Sequence, residues 1–315
     1  MSDCKLLLMN SRRVVVPAST LLCAAALACD GDSRNAAADS SAISARVPAV
    51  VAPATPSTGW DEAAGPALIL STTNDPVSAT VILPGLTDNT LASSRQSDSS
   101  VLSNSRVELF GPGGLAGEAV LQVAATSIGI DSCQSWPQGR ISVQPKRPWR
   151  VGFEKGRMKG VPLDSIEGMS DSDSAAFTGE IMRIVLPYAQ RGDSAFHGLP
   201  FSVRKAYRFP VVSTRGFIAS VVRKINEEAN PRQEHFLIIA ERSGRAYREV
   251  FQSRASGPEE SVRTNEILAV VNLVETGQTA IAITFEDGEG WRVGLLERVS
   301  GGQWRMMWKS AYTSC

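Results

Sequence analysis

Short apolar runs separated by turn residues fill the chain from Trp60 onward. Such runs, bounded by Gly, Pro, Asn and Ser, are typical of β-strands. The pattern predicts six strands in the first part of this region: 67–70, 79–83, 106–110, 119–124, 140–143 and 149–153. We therefore expect a mainly β fold built from antiparallel sheets.

One stretch has the period of an α-helix instead. Its apolar positions recur at intervals of three and four residues: Phe177, Ile181, Ile184 and Val185. Ser172 or Asp173 can cap the first turn, and Pro187 ends the run. The pattern predicts one substantial amphipathic helix of about fourteen residues, near 173–186, whose apolar stripe packs on a sheet.

The last hundred residues repeat one succession of apolar runs and turns. The first copy has runs at 219–222, 236–240 and 247–248, and the second has them at 268–271, 280–285 and 291–292. The offset between the copies falls from 49 residues (219 to 268) to 44 (247 to 291), so the loops differ while the order holds. A unit of this length predicts a repeated β-meander at the C-terminal end of a β-rich α+β fold.

Basic and apolar residues at the start of the chain have the layout of an export signal. Arg12 and Arg13 precede an apolar run, 14–28, which is shorter than the ~20 residues needed to cross a bilayer. Met1 and Met9 both suit this signal as its first residue. We expect the signal peptide, 1–28, to be removed during export.

The end of this segment, Ala26-Leu27-Ala28-Cys29, resembles the lipobox of bacterial lipoproteins. The resemblance implies that Cys29 is diacylated, becomes the mature N-terminus and anchors the chain to a membrane of the cell envelope. The alternative is a plain secretory signal, which would leave a soluble secreted or periplasmic protein.

The next segment has the composition of an unfolded tether. Residues 30–58 consist mostly of Ala, Ser, Pro, Asp, Val and Thr, with no aromatic residue and no apolar period. Such a segment cannot bury enough surface to fold. We interpret 29–58 as the lipidated cysteine and its tether, and 59–315 as one β-rich globular domain. A division of that domain near residue 210 is the alternative.

The cysteines fit an exported chain. Cys4 and Cys23 lie in the removed segment and lipid occupies Cys29, which leaves two of the five cysteines. An oxidising compartment favours a disulfide between the two cysteines that remain. We therefore predict a bond between Cys133 and Cys315.

The charge balance excludes one class of partner. Thirty-two basic and thirty-two acidic residues cancel, so no global field attracts nucleic acid. Arginine outnumbers lysine by 25 to 7, but the arginines are scattered along the sequence. We interpret this excess as compositional bias rather than as an anion site.

The two histidines test for acid–base or metal chemistry. His197 follows Gly192-Asp193-Ser194, a triplet similar to the nucleophile segment of certain serine hydrolases, but its place after a helix favours a turn capped by the Asp or Ser. His235 precedes a strand beside Glu234, and alternation directs it to solvent or towards a neighbouring strand. Neither has a convincing set of partners, so we predict no catalytic residue, metal site or cofactor.

The C-terminal aromatic residues have two interpretations. Trp304, Trp308 and Tyr312 lie close together, and alternation along a strand would give the two tryptophans a common face. This face is either part of the core or a candidate binding platform for a glycan or a partner strand. The segment 267–308 is also similar to the repeat-type β blades of bacterial surface proteins, which implies a shape and no ligand.

The leading hypothesis for function is a membrane-tethered envelope lipoprotein whose non-catalytic β domain binds a protein or glycan partner or has a structural role in an envelope assembly. The alternative is an envelope hydrolase with an unrecognised active site. A binding module presents a flat aromatic patch or an open sheet edge, whereas a hydrolase needs a concave site that gathers titratable groups.

Overall fold

The computed structural model describes residues 68–72, 75–83, 102–123, 136–212, 214–288 and 290–314. Strands make up 59% of them, which confirms the mainly β fold with antiparallel sheets. The export signal, Cys29, the tether, Cys133 and Cys315 lie outside the described residues. All described residues belong to one compact unit, and residue 210 falls inside a strand rather than between elements.

Six strands form a closed antiparallel barrel in the order β1-β2-β5-β4-β3-β6. Their bounds are β1 Leu68–Thr72, β2 Asp75–Ile82, β3 Arg106–Gly111, β4 Gly114–Val123, β5 Gln138–Ile141 and β6 Val151–Glu154. The barrel closes because β1 pairs with β2 on one edge and with β6 on the other. Aliphatic side chains fill its interior together with Trp149, whose indole Nε1 donates to the Pro76 carbonyl at 2.9 Å.

Two antiparallel sheets follow the barrel. The helix-side sheet has the order β12-β11-β10-β9-β8, and the barrel-side sheet has the order β16-β15-β14-β13-β7, with β17 also paired to β15. The bounds are β7 Met158–Val161, β8 Asp164–Ser165, β9 Ser202–Val211, β10 Thr214–Ile225, β11 Arg232–Ser243, β12 Ala246–Pro258, β13 Thr264–Leu273, β14 Thr279–Asp287, β15 Gly290–Arg298, β16 Trp304–Lys309 and β17 Thr313–Ser314.

The predicted repeat is confirmed as two three-stranded meanders, one in each sheet. The first copy is β10-β11-β12 and the second is β13-β14-β15. The chain between barrel and helix contributes one short strand to each sheet, because β7 pairs with β13 and β8 with β9. Asp287-Gly288 lies in the β14–β15 hairpin, since Asp287 pairs with Gly290.

Three apolar interfaces stack the elements as layers. The two sheets share a core that includes Ile239 of β11 and Ile281 of β14. The opposite face of the barrel-side sheet packs on the barrel, where Phe110 and Phe153 contribute. The opposite face of the helix-side sheet packs on the helix. The helix is therefore the layer furthest from the barrel.

The one α-helix among the described residues, α1, spans Asp171–Val185 and continues as a 3-10 turn over Leu186–Tyr188. Its apolar stripe packs on the helix-side sheet as predicted, with Phe177, Ile181 and Val185 buried. The predicted cap was wrong by two or three residues. Ser170 is the N-cap: its hydroxyl accepts from the Asp173 amide at 3.2 Å and donates to the Asp173 carboxylate at 2.7 Å. The bond from the Asp173 amide satisfies one of the free backbone N–H groups of the first turn.

Candidate functional site

The segment around His197 is a capped turn, as the sequence favoured. Asp193 is the N-cap of the short 3-10 helix Ser194–Phe196, and its carboxylate accepts from the Ala195 amide at 3.0 Å. The hydrogen bond from the Ala195 amide and, to a smaller extent, the hydrogen bond from Arg232 lower the pKa of Asp193. His197 follows as the exposed C-cap residue. Both ends of the turn thus serve local structure.

His235 is buried, which excludes solvent, one of the two directions that alternation allowed for it. Only 2% of its surface is exposed, because both faces of the inner strand β11 are covered. Its Nε2 lies 2.8 Å from the side-chain oxygen of Gln233. The side-chain nitrogen of Gln233 in turn donates to the Glu259 carboxylate. Burial, aided by the charges of Arg204 and Lys224, lowers the pKa of His235 to about 4. The ring is therefore neutral at physiological pH.

The two C-terminal tryptophans do not share a face, so that prediction was wrong. Trp304 is 3% exposed and packs between the two sheets, whereas Trp308 packs towards the barrel. The cause is a β-bulge: Leu295 pairs with Trp308 and Leu296 with Met306, which leaves Met307 as an extra residue. One extra residue reverses the alternation of side chains along β16.

Trp304 thus belongs to the core, the first of its two interpretations. Its indole Nε1 donates to Glu241 at 2.7 Å. Trp308 and Tyr312 keep part of their surface exposed. The Tyr312 hydroxyl donates to Asp287, and the Arg292 guanidinium lies 5.2 Å from the centre of the Tyr312 ring.

The helix-side sheet ends in a long open edge, β12. In the part of the chain that the structure describes, β12 pairs with β11 alone, and none of its 13 residues is buried. The outer edge of such a strand offers alternate backbone N–H and C=O groups for pairing. The other open-edge strands of the two sheets are shorter: β7 has four residues, β8 two and β16 six.

Side chains on both faces fix β12 to the sheet. On the helix side, Glu249 accepts from the Tyr188 hydroxyl at 2.8 Å. Burial and, to a smaller extent, this hydrogen bond raise the pKa of Tyr188. On the opposite side, Val250 and Phe251 pack against the core between the sheets. The edge strand is therefore held in an extended form before any partner arrives.

A buried ion cluster reinforces the middle of β12. Glu234 has no exposed side-chain surface and accepts from Arg223, which is equally buried, and from Arg254 of β12. Arg223 also donates to the carbonyls of Ala189 and Phe196, at 2.8 and 2.5 Å. The cluster joins β12 to the loop that follows α1, and it gives Arg254 a direct ion pair with Glu234, which Arg223 shares.

Four exposed arginines lie at the tips of two neighbouring hairpins: Arg215, Arg242, Arg245 and Arg248. We call this group the arginine tip. The Thr214 hydroxyl donates to the Arg242 carbonyl at 3.0 Å and joins the β9–β10 hairpin to the β11–β12 hairpin. Among the described residues, none of the four has a carboxylate within ion-pair distance. These four arginines are therefore neighbours on adjacent strands and turns, although the arginines as a whole are scattered along the sequence.

The carboxylate nearest to Arg248 along the ladder is already occupied. Glu241 is the cross-strand neighbour of Arg248. It accepts two bonds from Arg298, at 2.7 and 2.9 Å, as well as the bond from Trp304. The Glu241 bond in turn raises the pKa of Arg298. Glu241 thus joins the two sheets and leaves the charge of Arg248 uncompensated.

Within the described ranges, no cluster of three or more His, Cys, Asp or Glu side chains is placed to hold a metal ion. No helix among the same residues is long and apolar enough to cross a membrane. No protein-family model, curated protein or solved structure matches the chain.

Proposed function

We propose that the chain is a membrane-tethered envelope protein whose β domain binds a protein partner by adding a strand of that partner to β12. The observation that carries this proposal is the 13-residue edge strand, which is extended and anchored but paired on one side alone among the described residues. Main-chain hydrogen bonds to such an edge supply affinity, and the side chains that flank it supply specificity.

The placement of the histidines favours binding over hydrolysis. General acid–base catalysis needs a titratable group within reach of a substrate, with a pKa near the working pH. His235 is buried between the sheets with a pKa of about 4, and His197 ends an exposed turn. The open edge of β12 is the feature expected of a binding module.

The tethering part of the proposal rests on the sequence alone. An export signal, a segment like a lipobox at Cys29 and a tether follow one another in the order typical of bacterial lipoproteins. We expect Cys29→Ala to move the protein from the membrane fraction to the soluble fraction and to abolish labelling by radioactive palmitate. A wild-type protein that takes up no palmitate would contradict the anchor.

The binding part is tested with peptides selected on the whole mature chain from a random twelve-residue library. A photoreactive residue placed at Gln252, an exposed position of β12, should cross-link to the selected peptides. The same residue at Val143, which is 59% exposed in the loop after β5, should not. Equal cross-linking from both positions, or cross-linking from Val143 alone, would contradict strand addition at β12.

A further inference from the structure

We infer that the partner strand is acidic: it runs antiparallel to β12 and carries carboxylates at its C-terminal end, where they meet the arginine tip. This inference rests on the proposed function, since it names the chemistry of the segment that β12 accepts. It uses the contrast between the two arginines of β12, Arg248 and Arg254.

Arg254 has a direct ion-pair partner within the protein, whereas Arg248 has none among the described residues. Arg254 donates to Glu234, and its guanidinium also lies 5.0 Å from the centre of the Phe236 ring. Arg248 faces Glu241, whose oxygens are taken by Arg298 and Trp304. A strand added along β12 therefore meets an arginine held in an ion pair in the middle of β12 and arginines without an ion pair at its start.

The arginine tip adds to that positive charge from both sides of the sheet. Arg242 lies on the helix side of the sheet, because its cross-strand partner Tyr247 packs against the helix core. Arg248 follows Tyr247 along the strand and lies on the opposite side. Arg245 lies in the turn between them. Charged residues at an edge disfavour indiscriminate pairing. A partner that brings carboxylates to this end removes that penalty, whereas a neutral or basic strand does not.

The bulge in β12 locates the paired stretch. The register shifts between Ile239–Phe251 and Ala240–Glu249, so Val250 interrupts the regular ladder. Regular strand geometry is left over 251–257, about 23 Å at ~3.3 Å per residue. A partner strand that pairs along this stretch in the antiparallel sense, as the described strands of this sheet do, ends beside Arg248.

Three synthetic twelve-residue peptides test the inference against the full mature chain. They share one body of alternating Val and Thr and differ in their ends: three Glu at the C-terminal end, three Glu at the N-terminal end, or Gln throughout the ends. Fluorescence anisotropy at low salt should show that the first peptide binds about five- to tenfold more tightly than the other two, and about 0.5 M salt should erase the difference.

Charge reversal supplies the matched variants. R245E/R248E should lose this preference and favour a peptide with three C-terminal Lys, while Arg147→Glu, an exposed arginine in the loop before β6, should change nothing. Unchanged thermal unfolding shows that the variants fold. Equal binding of all three peptides to the wild-type chain would overturn the inference, although peptides that still cross-link to Gln252 would leave the proposed function standing.

Lipid headgroups are the other source of negative charge near a tethered protein, and the experiment separates them. Vesicles of phosphatidylcholine, with or without phosphatidylglycerol, are added to the complex with the acidic peptide. We expect neither to displace the peptide. Displacement by the anionic vesicles alone would assign the arginine tip to a membrane surface and overturn the inference.

Discussion

At the scale of single residues, burial decides the charge state of His235. The ring lies between the sheets, where the charged form is poorly solvated and where the positive charges of Arg204 and Lys224 oppose a further proton. Glu259 partly offsets this effect and also pairs with Lys224 at 3.5 Å. A neutral imidazole that bonds to Gln233 is therefore the form that the fold stabilises.

This charge state predicts acid sensitivity. The pKa of His235 is about 4 in the folded chain, against 6.5 for a solvated histidine, so the unfolded chain binds more protons between these values. The folded chain keeps its full stability with respect to His235 above about pH 6.5, and it loses stability as the pH falls from there towards 4. We expect urea titrations to show about 2–3 kcal/mol less stability at pH 4.5 than at pH 7.5 from this residue.

His235→Asn serves as the comparison, because it removes the titrating group and keeps a polar side chain. The pH dependence of its stability should be flatter than that of the wild-type chain by the same amount. Equal slopes for the two proteins would show that His235 does not titrate in this range.

At the scale of elements, α1 contributes to the core of the helix-side sheet. Phe177 packs edge-on against Phe217, with ring centroids 5.4 Å apart, and Ile181 is fully buried in the same cluster. We expect Ile181→Ala to lower the free energy of unfolding by about 2–5 kcal/mol, because truncation removes apolar contacts and leaves a cavity. Arg183→Ala, on the exposed face of α1, should change it by less than about 0.5 kcal/mol. A denaturant titration that ranks the two variants the other way round would contradict this packing.

The helix, the strands and the repeated meander were predictable because apolar periodicity is a local signal. Alternation does not reveal a bulge, and one extra residue at Met307 was enough to separate Trp304 from Trp308. Strand order is equally hidden, so β12 could not be recognised as an edge. The arginine tip was missed for the same reason, although three arginines at 242, 245 and 248 around Gly244 were a local signal that the count of all arginines obscured.

At the scale of the whole molecule, the layers bring the two ends of the described C-terminal region near the barrel. Trp136 and Ala311 belong to one core cluster between the barrel and the barrel-side sheet. Trp136 lies three residues after Cys133, and Ala311 lies four before Cys315. The predicted disulfide itself lies outside the described residues and stays a prediction; it would close a loop from Cys133 to Cys315.

We expect the disulfide to stabilise the mature domain by about 4–5 kcal/mol on the chain-entropy model, in which longer loops gain more. Thiol counting on denatured, unreduced mature protein should find no free thiol. Two free thiols would rule the bond out. Cys133→Ser should then unfold at lower denaturant concentration than the oxidised wild-type chain and at the same concentration as the reduced one.

The most direct test of strand addition is the hydrogen exchange of the β12 backbone amides in the full mature chain. Without peptide, the amides on the outer edge of β12 face solvent and should exchange quickly, while those bonded to β11 exchange slowly. A saturating selected peptide should slow alternate amides over 251–257 and leave β16 and the barrel unchanged. Exchange over 251–257 that is the same with and without bound peptide would contradict a binding edge at β12.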